Sequence, residues 1–182
     1  MVLIRPARSI DAAGIAEVHV ASWRTTYPGL LPDSYLVGLS PPLHAERWRG
    51  ILAREAGARG CFVAIEPPYG VIGFASCGPQ RTRIAGFGGE FYTIYLYDFA
   101  QGRGIGRRLM ATMATDLIGR GDNSALVWVL RENPSRWFYE RLGGIRAGDQ
   151  RTSFAGCLLN EIAYGWHDLT TLADLSADPS VR

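Results

Sequence analysis

The chain has 182 residues, of which 47% are apolar, 20% charged and 11% aromatic, and its net charge is +2. This profile is typical of one globular domain and excludes a disordered or collagen-like chain. A chain of this length buries about 70% of the surface that it exposes when unfolded, so we expect a stable core without disulfides or metal.

All 19 basic residues are arginine. The absence of lysine excludes a Schiff-base enzyme and a Walker-type phosphate loop, since both need the amine. The arginines are spread along the chain, which argues against a nucleic-acid surface. Three cysteines without CxxC spacing predict reduced thiols in a cytoplasmic protein. The first residues lack a signal-peptide core, and no apolar run is long enough to predict a membrane span.

The N-terminal quarter predicts one strand followed by helices. Residues 2–5 predict a short strand that Pro6 ends. Apolar residues at helical spacing predict a helix from an N-cap at Ser9 to about residue 25. A second helix is predicted over 40–55, with two prolines in its first turn.

The next part of the chain predicts a meander of three strands. Residues 60–66, 70–77 and 89–97 are short, rich in β-branched and aromatic residues, and separated by glycine and proline. The long polar segment 78–88 predicts a mobile loop that borders a site.

The C-terminal half alternates helices and strands. A helix is predicted over 104–120, followed by a continuously apolar strand over 125–130, which is typical of a strand buried on both faces. A short helix over 134–142 then leads to strands at 144–153 and 156–166. The order predicts an α+β fold with a single mixed, largely antiparallel sheet flanked by helices. We expect one domain over 1–168 and a loose tail over 169–182.

The glycine-rich turn between the third meander strand and the helix predicts an anion site. The N–H groups of a first helical turn point outward, the helix dipole adds positive charge, and glycine lets a phosphate approach closely. Arginines at 103, 107 and 108 add full charges. The spacing is GxGxG and not the GxGxxG of dinucleotide-binding folds, and a kinase loop would need a lysine.

Four segments resemble the GNAT superfamily of N-acetyltransferases. The hexapeptide QGRGIG at 101–106 resembles the superfamily's Q/R-x-x-G-x-G/A signature, and NPSRWFYERLG at 133–143 lies at the usual distance downstream. The blocks around 22–29 and 159–168 are similar to one bacterial branch. The resemblance covers roughly residues 2–168. It implies the GNAT fold and an enzyme that uses acetyl-CoA.

The resemblance also implies which residues bind the cofactor. The glycine turn would hold the pyrophosphate of acetyl-CoA, and backbone groups at the end of the preceding strand would bind the pantetheine arm and polarise the thioester carbonyl. The implied cofactor-binding residues are Leu96, Tyr97, Gln101, Gly102, Arg103, Gly104, Ile105, Gly106, Arg107 and Asn133.

Acetyl transfer needs a base for the amine and a proton for the departing thiolate. By resemblance, Glu90 is the first choice as base, acting directly or through water, with Asp98 and Glu132 as weaker alternatives. Tyr139 is the favoured general acid, although a tyrosine that packs the helix on the sheet is the plainer interpretation.

The resemblance places the helical N-terminal region beside the acceptor, where Trp23, Tyr27 and Tyr35 are candidate substrate contacts. No metal is expected, since HExxH and Cys/His clusters are absent. The acceptor stays open between a small amine, an antibiotic, an amino acid, a polyamine and a protein N-terminus. Members often form dimers, so a homodimer is also open. The alternative function is a non-catalytic module that binds acyl-CoA for regulation.

Overall fold

The structure, a computed structural model, describes residues 1–54 and 60–176 of the chain. The strands are β1 (Leu3–Pro6), β2 (Cys61–Glu66), β3 (Gly70–Pro79), β4 (Gly89–Leu96), β5 (Ala125–Leu130), β6 (Ile145–Phe154) and β7 (Cys157–Trp166). The helices are α1 (Ala12–Thr26), α2 (Asp33–Val37), α3 (Pro41–Leu52), α4 (Ile105–Gly119), α5 (Arg136–Arg141) and α6 (Thr170–Ala173).

The seven strands form one mixed sheet in the order β1-β2-β3-β4-β5-β7-β6. Every neighbouring pair is antiparallel except β4 and β5, which are parallel. A parallel pair needs a crossover connection, and α4 supplies it. The predicted α+β fold with a largely antiparallel sheet is therefore confirmed, and so is the meander of β2, β3 and β4.

Helix α4 packs one face of the sheet. Its apolar stripe is fully buried, with Leu109, Met113 and Leu117 at 0% exposure. These side chains meet Phe91 of β4 in the larger of the core clusters. Strand β5 lies between β4 and β7, and four of its six residues are buried, as its continuous apolar sequence predicts.

Helices α1 and α3 cover the other face. Ile15 and Val18 of α1 and Trp48 of α3 are buried against Phe74 of β3. Together the two layers fix the position of β4 from both sides, and β4 is the strand that carries the candidate site.

The N-cap predicted at Ser9 is wrong. Residues 9–11 form a short 3-10 turn, and α1 begins only at Ala12. The Asp11 carboxylate organises this start, because it accepts a hydrogen bond from the Arg8 N–H at 2.8 Å and pairs with the Arg5 guanidinium. A capping rule considers only the residues next to the helix start, so it could not predict the contribution of Arg5 from β1.

The sequence-based prediction also omitted one helix and was wrong about part of the C-terminal segment. Helix α2 has only five residues, too few for a periodic pattern. The tail predicted from residue 169 is wrong as far as Ser176, because Leu169 and Leu172 are buried in the core cluster beside α4. Residues 177–182, and the predicted helix end at residue 55, lie outside the described residues.

Candidate active site

The central feature of the site is an opening between β4 and β5. The two strands pair at three positions only, Gly89 with Ala125, Glu90 with Leu126 and Phe91 with Val127. Beyond these pairs β4 continues along β3 and β5 continues along β7. The facing edges of the two strands therefore diverge into a wedge with unpaired backbone groups on both sides.

A β-bulge turns the side chains of β4 within this wedge. Cys77 pairs with Phe91 and Ser76 pairs with Thr93, so Tyr92 is an extra residue in β4. The bulge reverses the alternation of side chains. Phe91 therefore faces the core beneath α4, whereas Tyr95 packs on the opposite face, toward α1 and α3.

A cavity of about 1320 Å³ occupies the wedge and extends toward α1 and the β6–β7 hairpin. Its lining brings together eleven of the residues predicted from the sequence: Trp23, Tyr27, Glu90, Leu96, Gln101, Gly102, Gly104, Gly106, Arg107, Asn133 and Tyr139. The predicted residues Tyr35, Tyr97, Arg103 and Ile105 are not part of the lining.

The glycine turn forms the mouth of the cavity at the start of α4. Gly102 and Gly104 adopt φ of 70° and 74°, a left-handed conformation that strongly favours glycine. The first helical hydrogen bond joins the Arg108 N–H to the Gly104 carbonyl at 3.1 Å. The N–H groups of Ile105 and Gly106 precede it and lie in the first turn, where no intrahelical acceptor exists.

Two of the three arginines around this turn are directed elsewhere. The Arg103 guanidinium binds both carboxylate oxygens of Glu66, at 2.9 and 2.6 Å, and this ion pair lowers the pKa of Glu66. Arg108 donates to the Val2 carbonyl at 3.1 Å. Arg107 is the arginine of the turn that lines the cavity.

The end of β4 offers one backbone donor to the wedge. The Tyr97 N–H is used, because it donates to the Ile72 carbonyl of β3 at 3.0 Å. Successive N–H groups of a strand point to opposite sides, so the Leu96 N–H points away from β3 and toward the opening. Of these two N–H groups, only that of Leu96 faces the opening.

Tyr139 of α5 lies inside the cavity and is only 6% exposed. Burial, followed by the influence of Tyr27, raises the pKa of its phenol far above the usual value, so the group stays protonated. Asn133 fixes the start of this helix, since its Oδ1 accepts a hydrogen bond from the Ser135 N–H at 2.9 Å. Asn133 is itself buried and lines the cavity.

Glu90 lies at the closed end of the wedge and is 1% exposed. Arg81 holds both of its oxygens: the backbone N–H donates to Oε2 at 2.8 Å, and the guanidinium pairs with Oε1. Arg81 comes from the predicted loop 78–88, which does border the cavity. Hydrogen bonds from Gln80 to the carbonyls of Ile84 and Phe87 hold this loop together.

The weaker candidate bases lie outside the lining. Asp98 accepts hydrogen bonds from Thr25 and Gln101 at the far end of β4. Glu132 is exposed.

Aromatic side chains form the wall opposite the glycine turn. Trp23 packs against Tyr27, Tyr35 and Phe154, with ring centroids 5.0, 6.1 and 5.7 Å away. Tyr35 stands behind Trp23 and Phe154, which explains why it does not line the cavity. The Trp23 Nε1 atom is buried and has no hydrogen-bond partner among the described residues.

Sequence reasoning missed several polar residues of the lining, and two of them, Tyr95 and Glu161, bear on the chemistry of the site. Tyr95 lies in the third strand of the meander, and its hydroxyl meets that of Tyr27 inside the cavity. Glu161 of β7 also lines the cavity, and Gln150 donates to its carboxylate at 2.8 Å. The available signal was a carboxylate that shares one face of the predicted strand 156–166 with Leu159 and Ala163.

Within residues 1–54 and 60–176, no group of three or more histidine, cysteine or acidic side chains could hold a metal ion. In the same ranges, no helix has the length and apolar character needed to cross a membrane.

Comparison with known proteins decides the family. The chain is 39% identical over 175 residues to the uncharacterized N-acetyltransferase YuaI of Bacillus subtilis (strain 168). The alignment covers 96% of this chain and 98% of that protein. The chain belongs to the GNAT superfamily of N-acetyltransferases. Residues 81–154 also match the family described as FR47-like protein, and this range includes the glycine turn, β5 and α5.

Solved GNAT structures share the fold of this acetyltransferase. The PaiA N-acetyltransferase of Thermoplasma acidophilum, solved in complex with coenzyme A, superposes with a TM-score of 0.66 at 18% identity, over 91% of this chain and 99% of that one. The ribosomal-protein-alanine N-acetyltransferase of Brucella melitensis gives a TM-score of 0.67 at 20% identity, over 90% and 98%.

Proposed function

We propose that this protein moves an acetyl group from acetyl-CoA to a primary amine of a small molecule or peptide, by direct attack in a ternary complex. The observation that carries the proposal is the wedge between β4 and β5, which has the glycine turn at its mouth and Tyr139 inside. Membership of the GNAT superfamily and the coenzyme A complex of the T. acidophilum relative support it.

The donor fits the wedge for physical reasons. The amides of a pantetheine arm would pair with the unpaired edges of β4 and β5 as a strand does. The pyrophosphate of coenzyme A would receive hydrogen bonds from the N–H groups in the first turn of α4. Each would contribute about 1.5–3 kcal/mol because the phosphate oxygens are charged. The Leu96 N–H would polarise the thioester carbonyl, as in other oxyanion sites.

The acceptor amine must lose a proton before it attacks. An alkyl amine with a pKa near 10.4 is almost entirely protonated at pH 7, which adds about 4.6 kcal/mol to the barrier. Glu90 is our proposed base, acting through water. A carboxylate accepts about four hydrogen bonds, and Arg81 supplies three donors, so one acceptor position remains for a water molecule.

We propose that the Tyr139 hydroxyl interacts with the departing thiolate of coenzyme A. The conjugate acid of this thiolate has a pKa near 8.5, well below that of the buried phenol. Complete proton transfer from Tyr139 is therefore uphill, and its main contribution is a hydrogen bond that stabilises the developing negative charge. Because α5 begins at the turn held by Asn133, that residue would position Tyr139.

The experiment that tests the proposal combines binding and turnover. Calorimetry should detect acetyl-CoA binding, and thiol release from acetyl-CoA should depend on an added amine. Tight binding without release for any amine in a broad panel would favour the alternative, a regulatory module that binds acyl-CoA. Absence of binding would contradict both functions.

A further inference from the structure

The cavity wall contributed by β7 holds a carboxylate, Glu161, that pairs with no cation among residues 1–54 and 60–176. The acidic residues of the lining are Glu90 and Glu161, and its basic residues are Arg81, Arg107 and Arg141. Arg81 is paired with Glu90, whereas Arg107 and Arg141 belong to α4 and α5. Among the described residues, no cation lies within ion-pair distance of Glu161.

Glu161 is built into its place by the β6–β7 hairpin. Its backbone pairs with Leu130 on one side and with Gln150 on the other. The Gln150 side chain donates to Oε2 at 2.8 Å and so fixes the carboxylate without neutralising it. On the same face, Phe154 and Leu159 continue the wall of the cavity. An anchored carboxylate of this kind is suited to bind an ammonium group.

The surrounding wall suits the rest of a cationic ligand. Trp23, Tyr27 and Phe154 line the cavity with their rings close together. Aromatic faces attract alkylammonium groups and cover methylene chains at the same time. An acceptor with a carboxylate or a phosphate at this wall would meet Glu161 without a compensating cation.

Glu161 cannot serve the reacting nitrogen well. Tyr139 packs against Tyr164 and Trp166 of β7. These residues lie three and five positions along the strand from Glu161, which is about 10 Å or more at the usual rise of a strand. A charge bound by Glu161 therefore belongs to a different nitrogen from the one that reacts near Tyr139.

We infer that the acceptor is a small amine with at least two basic nitrogens, one of which stays charged and binds Glu161 while the other is acetylated. This inference rests on the proposed function and narrows its substrate class. It favours polyamine-like acceptors and multiply aminated compounds over amino acids and acidic peptides.

The test compares α,ω-diamines of three to six carbons with the alkylamine and the ω-amino acid of matching length. We expect the best diamine to exceed its matched alkylamine in kcat/KM by at least about tenfold, the ratio expected for one anchored charge interaction. The ω-amino acid should be the poorest of the three. In Glu161→Gln the ratio of kcat/KM between the diamine and its matched alkylamine should fall to about one, through a raised KM for the diamine.

Two further measurements distinguish a wrong inference from two other outcomes, which are a folding defect in the variant and a failure of the proposed function. Glu46→Gln makes the same charge change at an exposed position of α3 and should leave the diamine preference intact. Calorimetric titration of the diamine into protein saturated with coenzyme A measures the interaction without turnover. An equal affinity for diamine and alkylamine, or an equal effect of Glu161→Gln on both, would overturn the inference. Absence of thiol release with every amine would instead contradict the proposed function.

Discussion

The hydroxyl of Tyr27 lies 3.2 Å from the hydroxyl of Tyr95. Tyr27 directly follows α1, and Tyr95 belongs to β4, so this hydrogen bond joins the aromatic wall of the cavity to the strand that lines the wedge. Burial raises the pKa of both phenols, which keeps them protonated. Tyr139 lies close enough to influence Tyr95 as well. The aromatic wall and the wedge therefore meet at these tyrosines.

Removal of the Tyr139 hydroxyl tests its role at the thiolate. We expect Tyr139→Phe to lower kcat at least about tenfold, because one hydrogen bond to a charged oxygen or sulfur contributes roughly 1.5–3 kcal/mol. The ring packing against Phe138 and Trp166 remains, so the affinity for acetyl-CoA should hardly change. Steady-state kinetics and calorimetry measure the two quantities, and an unchanged kcat would remove Tyr139 from the mechanism.

Replacement of Glu90 by glutamine tests the proposed base. We expect kcat/KM at pH 7 to fall at least about tenfold, since general base catalysis typically contributes a factor of 10² to 10⁴. The defect should shrink as the pH approaches the pKa of the amine, because solvent then removes the proton. A defect that is constant over pH would indicate a structural role for the pairing with Arg81. Glu17→Gln, on the exposed side of α1, is the matched control.

The glycine turn can be tested at Gly104, which has a φ of 74°. Alanine at this left-handed position costs about 1–2 kcal/mol, so Gly104→Ala should shift the start of α4 and weaken acetyl-CoA binding at least tenfold. Gly119 ends the same helix, and a methyl group added there would meet no atom within 4 Å. Gly119→Ala should preserve binding and stabilise the protein by roughly 0.5–1 kcal/mol. Equal binding by both variants would exclude the turn as the phosphate site.

Acid stability should depend on His19, which lies behind Tyr95. Burial, followed by the influence of His44, lowers the pKa of His19 to about 4. The unfolded chain takes up this proton near pH 6.5 and the folded chain only near pH 4, so the free energy of unfolding falls as the pH is lowered between these values. The difference corresponds to about 3 kcal/mol.

Denaturant unfolding at pH 7 and pH 4 measures this effect. The loss of stability on acidification should be smaller in His19→Gln than in the wild type. His167→Gln, at an exposed position, should leave the loss unchanged. The same pH dependence in all three proteins would show that His19 does not control it.

Much of the fold could be predicted because local patterns determine it. The buried strand β5 and the apolar stripe of α4 follow directly from their sequences, and the left-handed glycines at 102 and 104 mark the turn between β4 and α4. Helix α2 escaped notice because five residues carry no periodicity. The C-terminal segment escaped notice because Leu169 and Leu172 are buried by tertiary contacts with α4, which no local pattern encodes.

The site was predictable only where a motif carried it. The glycine turn and Tyr139 belong to recognisable segments, whereas Glu161 reaches the cavity through the register of β6 on β7. The pairing of Glu90 with Arg81 depends on how the 78–88 loop folds back. The use of the Tyr97 N–H by Ile72 likewise depends on strand pairing. Long-range pairings of this kind leave no trace in sequence spacing.

Initial rates of thiol release, measured while acetyl-CoA and a diamine are varied together, test the central claim most directly. Direct attack within the wedge requires both substrates on the protein at once, so double-reciprocal plots should give intersecting lines. Parallel lines would indicate a covalent acetyl-enzyme. Parallel lines, or thiol release at the same rate without amine, would contradict direct transfer to an acceptor bound beside Tyr139.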